Sequence, residues 1–428
     1  MKVSAYPRAT DNSGFATEGR HTSHPSPSSY LPRSTSLPPE ESRARQAALG
    51  QFMTPSTIAN FMASLFSDVP VKSYRVLDPG AGAGALSRAF LDRLATAATL
   101  PVKTEVTAFE LDASLRPQLE TMFAQFAVSH GIDSRIIGGD FIEHAVKDGI
   151  LGKANYTHAI LNPPYKKINS DSRYRLALRE VGIETVNLYS AFVALALNML
   201  APGGQLVAIV PRSFCNGPYY RPFRRFILDR AAIKRMHLFE SRSKAFKADE
   251  VLQENIIIVL ERGGLQGAVT ISNSTDDSFS DLTTNIHPFD RIVLPDDSEQ
   301  FIHVPTSTER HTIEITPAIR YSLSDLKLKV STGPVVDFRL REHLREMPEQ
   351  GSVPLLYPAH FAGQNTEWPK VGIKKPNAIQ RNIQTERWLY PSGFYCVVRR
   401  FFLEGREAPY RCKCGQSSIL CGRNCPWV

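Results

Sequence analysis

From Tyr74 to Arg262 the chain alternates short, nearly unbroken apolar runs with longer segments whose apolar residues recur every three or four positions. The short runs are "YRVLDPG", "TEVTAFELD", "SRIIGGDF", "THAILNPPY", "QLVAIVP", "IKRMHLFE" and "ENIIIVLER". Between the first of them lie "GALSRAFLDRLATAA", "SLRPQLETMFAQFAVSHG" and "NLYSAFVALALNMLAPGG". A strand that is apolar on both sides must be covered on both faces, and helices threaded between strands supply that cover. The order therefore predicts an α/β fold with a mainly parallel sheet between two helical layers. The longest apolar stretch, 188–200, falls short of the roughly 18 residues of a membrane span and carries Ser190 and Asn198, so it reads as a buried helix.

The flanks differ in character. Residues 1–45 are rich in Ser, Pro, Thr and His, show no apolar period, and read as disordered. A helical pattern follows in "GQFMTPSTIANFMASLF", with Thr54 as N-cap, Pro55 in the first turn, and Ile58, Phe61, Met62 and Leu65 on one face. The first domain is expected to span 46–264, ending near Arg262-Gly263-Gly264. Residues 265–400, polar at first and then rich in proline and aromatics, read as a second, mixed domain, and 401–428 as a Cys-rich tail. No apolar signal segment is visible in the first 45 residues, and the six cysteines, four of them in the last 17 positions, do not form a disulfide framework for a chain of 428 residues. The expected compartment is the cytoplasm, with no membrane partner.

The strand ends carry the chemistry. "RVLDPGAGAGALS" places Asp78 at a strand end, then Gly80, Gly82 and Gly84 leading into a helix. Its G-x-G-x-G spacing is not the G-x-G-x-x-G of dinucleotide folds, although glycines there still let backbone approach a ligand. Glu110 ends the next strand, where an acid can accept both hydroxyls of a ribose. Asp140 ends the third, where it can accept an adenine amino group with Phe141 stacking on the ring, or simply cap a helix. Together these three tips point to an adenosine-containing cofactor.

The fourth tip is Asn162-Pro163-Pro164-Tyr165. Two prolines stiffen the turn and remove two donors. An exocyclic amine conjugated to an aromatic ring is a poor nucleophile because its lone pair is delocalised. Acceptors aimed at its hydrogens, the Asn162 amide oxygen and the Pro163 carbonyl, would draw the nitrogen toward tetrahedral geometry and take up developing charge. Tyr165 offers a face on which a base can stack.

In this combination and order the sequence resembles the gamma-class adenine-N6 DNA methyltransferases of type II restriction–modification systems. The resembling parts are "GQFMTP", "LDPGAGAGALS", "FELD", "GGDFI", "NPPYKKINSDSRYR", "PGGQLVAIVPRSFCNGPYYRPFRRFI", "SRSKAFKADEVLQENIIIVL" and, through the second domain, "GFYCVVRRF", covering about residues 46–401. The resemblance implies a Rossmann-like, S-adenosylmethionine-dependent sheet with a C-terminal mixed α/β DNA-recognition domain, acting on double-stranded DNA beside a cognate restriction endonuclease. It implies that Thr54 and Pro55 contact the methionine moiety. Asp78, Gly80 and Gly82 would surround the methionine and its amine, Glu110 the ribose, and Asp140 and Phe141 the cofactor adenine. Asn162 to Tyr165 would be catalytic, and Phe246 would pack edge-on against the flipped target base.

Residues 211–235 hold seven Arg or Lys against one Asp, interleaved with Tyr219, Tyr220, Phe223 and Phe226, in a chain of net charge +8. Beside a base-modifying motif this pattern reads as a nucleic-acid contact. Lys166, Lys167, Arg173, Arg221, Arg224 and Arg225 are the expected phosphate ligands. Two alternatives stay open: a protein-glutamine or ribosomal-RNA N-methyltransferase, since Asn-Pro-Pro-Tyr serves those too, and a DNA-binding remnant with impaired catalysis. The tail departs from the family. Cys412, Cys414, Cys421 and Cys425 lack paired C-x2-C spacing, so no metal is expected. Codon degeneracy there permits a basic, helical text one nucleotide out of phase, so the expectation is a reading frame lost near Phe401-Phe402.

Overall fold

The computed structural model describes residues 53–67, 73–96, 103–150, 155–240, 254–295, 297–306 and 321–395, the last without 322, 324, 332, 363, 364, 392 and 394. Phe246, the expected disordered segment 1–45 and the tail 401–428 lie outside the described residues. The chain divides into two compact units, 1–310 and 311–428.

Among its described residues, the first unit is built on one nine-stranded sheet. Its elements run α1 (Ser56–Ser64), β1 (Ser73–Pro79), α2 (Ala85–Ala95), β2 (Lys103–Glu110), α3 (Arg116–His130), β3 (Asp133–Gly138), α4 (Phe141–Ile150), β4 (Tyr156–Leu161), α5 (Arg173–Glu180), α6 (Leu188–Met199), β5 (Leu200–Pro211), α7 (Arg221–Arg230), β6 (Ala231–Phe239), β7 (Asn255–Arg262), β8 (Val269–Ser274) and β9 (Thr283–His287). The strand order is β3-β2-β1-β4-β5-β7-β6-β8-β9. The first five are mutually parallel, β7 is antiparallel to both neighbours, β8 is parallel to β6, and β9 returns antiparallel to β8. The order reverses between β1 and β4, and such a switch leaves a crevice at the carboxyl ends of the strands.

Successive strand residues point to opposite faces, and both faces are apolar. Val76, Ile160, Val207, Ile209 and Ile257 pack with Ile58, Met62, Phe90, Leu119 and Phe123 from α1, α2 and α3. Leu77, Leu161, Leu206, Ala208 and Ile258 pack on the other side with α4, α6 and α7. The 188–200 run is accordingly a core helix, and no helix among the described residues is long and apolar enough to cross a membrane.

Two expectations shift. The sheet does not stop at Gly264: β8 and β9 extend it, and the first compact unit reaches Arg310. Thr270 and Asn273 in β8 are only half-buried and Thr283 and Thr284 in β9 are exposed, so these strands lack the apolar run that marks the central ones. Secondly, α1 begins at Ser56 with Pro55 in the cap position and no side-chain cap, which leaves the Thr54 hydroxyl for other use.

The second unit holds a three-stranded antiparallel sheet, Leu344–Arg345, Ala378–Gln380 and Ser352–Pro354, over Leu340, Val353, Leu355 and Ile379. Its small core is supplemented by a buried polar hub. Asn377 accepts from Lys370 N at 2.7 Å, bonds His360 Nε2 at 2.9 Å, and donates to the carbonyl of Glu346 at 2.8 Å.

Candidate active site

At the end of β1, Asp78 is fully buried. Ser87, in the first turn of α2, donates its hydroxyl to Oδ2 at 2.6 Å, while Oδ1 has no hydrogen-bond partner among the described residues. Burial outweighs the Ser87 bond and pushes the Asp78 carboxyl up to about 7, with Glu110 adding to the rise. A buried carboxylate oxygen without a donor is costly unless a ligand supplies one. The site therefore fits a ligand with an amino or ammonium group. The glycine turn makes room for it: Gly80 and Gly82 have φ of +89° and +58°, a region that disfavours any side chain. Gly84 starts α2 so close to α3 that an added Cβ would lie 2.6 Å from Met122 Cε.

The β2 tip is tied into the same turn. Glu110, 1% exposed, accepts from Gly82 N through Oε2 and from Asp112 N through Oε1, each at 2.6 Å. The carboxylate thus lies at the glycine turn, and an acid at this strand tip is of the type that accepts the hydroxyls of a ribose. At the β3 tip Asp140 does what a cap does: Oδ1 accepts from Glu143 N at 3.1 Å. Its Oδ2 accepts from the hydroxyl of Tyr174, on α5, at 2.5 Å.

Beyond the switch point, β4 leads into the rigid Asn162–Tyr165 turn. Asn162 Nδ2 donates to Thr54 Oγ1 at 3.0 Å, and Tyr165 OH donates to Asn162 Oδ1 at 3.3 Å. Burial drives the Tyr165 phenol above its ordinary pKa, so it stays a donor. The segment before α1 borders the glycine turn, with Met53 Sδ 3.9 Å from where a Gly82 Cβ would lie.

Comparison with known proteins gives this arrangement its family. The Eco57I restriction-modification methylase family matches residues 121–246. The type II methyltransferase M.BsuBI of Bacillus subtilis is 54% identical over 363 residues, 83% of this chain and 72% of its own. The type II methyltransferase M.PstI of Providencia stuartii is 41% identical over 366 residues, 83% and 71% respectively. The chain belongs to this family of type II methyltransferases. It is thus a site-specific adenine-N6 DNA methyltransferase that draws on S-adenosylmethionine within a restriction–modification system. A solved modification subunit of a putative type I restriction enzyme from Vibrio vulnificus YJ016 aligns with a TM-score of 0.48 at 15% identity, over 67% of this chain and 64% of that one.

Two expected site residues of the methyltransferase are corrected. Arg224 is not a phosphate ligand: it is fully buried, because helical phase turns it inward with Phe223, Phe226 and Ile227. Its guanidinium donates to the carbonyls of Phe214 (3.0 Å), Gly217 (2.7 Å) and Glu299 (2.8 Å) and lies 4.9 Å over the Phe301 ring. Phe141 is 3% exposed and wedged between Phe109 and Phe192, so its ring is core rather than a stacking surface. The apolar surface beside Glu110 belongs instead to Leu111, 51% exposed, while Phe192 comes within 3.6 Å of a Gly80 Cβ.

The other expected phosphate ligands remain on the surface. Lys166, Lys167 and Arg225 are exposed, as are Arg221, paired with Glu299 at 3.6 Å, and Arg173, paired with Glu143 at 3.1 Å. Of the interleaved aromatics only Tyr219 is exposed, and Tyr220 accepts a short bond from Asn187 Nδ2. Sequence reasoning missed Ser87, Tyr174 and the Thr54–Asn162 bond. The i+9 spacing of Asp78 and Ser87 across the glycine turn is a legible signal. The other two pairs, 34 and 108 residues apart, are not.

Proposed function

We propose that the tips of β3, β2, β1 and β4 hold S-adenosylmethionine along one sheet edge and bring its methyl group to a flipped-out adenine at Asn162–Tyr165. The observation that carries this reading is spatial order. Across the sheet the tips run Asp140, Glu110, Asp78, Asn162, a span of roughly 14 Å at about 4.8 Å per strand. Adenine at Asp140, ribose at Glu110, the methionine amine at Asp78 with Gly80 and Gly82, and the methyl beside Asn162 follow the cofactor end to end. The 53–55 segment closes the methionine end through Pro55 and the backbone of Thr54, whose hydroxyl meets Asn162 instead.

Bound S-adenosylmethionine supplies an electrophilic methyl on a sulfonium, which leaves as a neutral thioether. The protein's part is to activate and align the amine. Asn162 Oδ1 and the Pro163 carbonyl accept its two hydrogens, localise the lone pair on nitrogen and stabilise the positive charge that develops there. Pro163 and Pro164 keep these acceptors from relaxing. Tyr165 supplies the stacking face, and the surplus proton on nitrogen passes to solvent. Extruding the base costs a few kcal/mol of unstacking, offset by phosphate contacts from Lys166, Lys167 and Arg225. The unit 311–428 is the proposed reader of DNA sequence, and the cytoplasm the proposed compartment.

The test is methyl transfer from labelled S-adenosylmethionine to duplex DNA, to RNA and to protein in parallel. Label recovered as N6-methyladenine in duplex DNA supports the reading. Label on RNA bases or on glutamine amides instead would overturn it.

A further inference from the structure

An amide side chain presents an acceptor at one end and donors at the other. For Asn162 the choice is decisive: with Oδ1 toward the target amine it accepts a hydrogen, whereas with Nδ2 there it opposes donor to donor. The hydrogen-bond network must fix that choice. Nδ2 is engaged by Thr54 Oγ1 at 3.0 Å. A hydroxyl can accept or donate, and here Thr54 Oγ1, which does not cap α1, accepts from Nδ2. The Tyr165 hydroxyl, which burial keeps protonated, shares its donor between Oδ1 at 3.3 Å and the Ile209 carbonyl at 3.4 Å, and its contact with Oδ1 agrees with the same orientation.

Thr54 is itself held from an unexpected quarter. The helix that follows it is seated on the β8–β9 turn, in the part of the sheet beyond Gly264. Thr57 Oγ1 donates to Asp277 Oδ2 at 3.1 Å, and the Phe61 and Phe279 rings stack with centroids 4.1 Å apart, 20° from parallel. Phe279 adopts φ +53°, a left-handed conformation uncommon for a bulky residue. The turn that imposes it is tied by Ser278 to Asp276 and by Thr275 N to Asp281. His237, 4.7 Å from the Phe61 ring, is anchored by Ser272 and Ser274.

We propose that Thr54 is the positioning residue that turns the Asn162 amide oxygen toward the target amine, and that the β8–β9 turn, through α1, holds Thr54 there. This rests on the role given to Asn162 under Proposed function, and it assigns the Thr54 hydroxyl to the amide rather than to the methionine moiety.

The experiment uses the full chain with duplex DNA that the wild-type enzyme methylates. Single-turnover rates at saturating cofactor and DNA are measured for Thr54→Val, Thr54→Ser, Asn162→Ala and the double variant Thr54→Val/Asn162→Ala, with cofactor affinity by calorimetry. Thr54→Val should slow transfer by roughly 10²-fold, the scale of a small misplacement, with cofactor affinity unchanged. Thr54→Ser, which keeps the acceptor, should restore the rate. In the Asn162→Ala background, Thr54→Val should slow nothing further, because the two act as one unit. Weakened cofactor binding with the saturated rate intact, or full additivity in the double variant, would overturn the proposal. Asn162→Ala at full rate would instead sink the Asn162 reading itself.

Discussion

Cofactor binding should be linked to a proton on Asp78. The carboxyl is fully buried, with one oxygen bonded to Ser87 and the other without a partner among the described residues, and its pKa stands at about 7 against an ordinary 3.8. A shift of that size corresponds to about 4 kcal/mol against the charged form. Because the folded-state pKa is raised, the folded protein binds the proton more tightly than the unfolded chain. This group's contribution to stability is full below the unfolded pKa and is lost as pH rises through about 7. A ligand ammonium at Oδ1 reverses the preference, so binding requires the ionised carboxylate. Affinity for S-adenosylmethionine should be flat above pH 7 and fall by about tenfold per unit below it. Titration calorimetry at pH 6, repeated in buffers of different ionisation enthalpy, should show release of about one proton per cofactor bound. At pH 8 it should show almost none. Asp78→Asn should bind weakly at every pH and release no proton. Wild-type binding that is independent of pH between 5 and 8 would refute both the protonated carboxyl and its assignment to the cofactor amine.

Other variants separate structural arginines from DNA-binding ones. Arg224→Ala removes the donor to three carbonyls and should lower stability by about 3–5 kcal/mol, the cost of breaking a buried charged network; urea unfolding reads it. Arg225→Ala should leave that midpoint in place. For non-target DNA, neutralising Lys166, Lys167 and Arg225 should flatten the dependence of log affinity on log salt by about 0.9 for each phosphate that the protein no longer neutralises. An unchanged slope in a filter-binding titration would remove these residues from the interface. Phe279→Ala should slow single-turnover methylation without altering the salt slope, and a wild-type rate would show that the β8–β9 turn does not support α1.

How far the sequence spoke depended on whether an interaction is periodic, local or remote. Val76, Ile160 and Ile257 on one face and Leu77, Leu161 and Ile258 on the other are consecutive residues, so a run of apolar letters was enough to predict a sheet covered on both sides. Strand tips were legible for the same reason, since Asp78, Glu110, Asp140 and Asn162 each end such a run. A count of charge in 211–235 ignores helical phase, and it misplaces Arg224. Residues 221 and 225 lie one turn apart on the outer face of α7, while 224 falls with 223 and 227 on the inner one. A guanidinium goes inside only where carbonyls wait for it, and those of Phe214, Gly217 and Glu299 come from two loops that nothing in the helix announces. The same limit hid the support of Asn162. Thr54-Pro55 before a helix carries the local signature of a cap, and a local rule assigns it as one. Tertiary structure gives the hydroxyl to an amide 108 residues away and sets the helix on a turn 220 residues away. Side chains with several possible partners are thus settled by the fold rather than by their neighbours, and at this active site the orientation of one amide decides whether an acceptor or a donor meets the base.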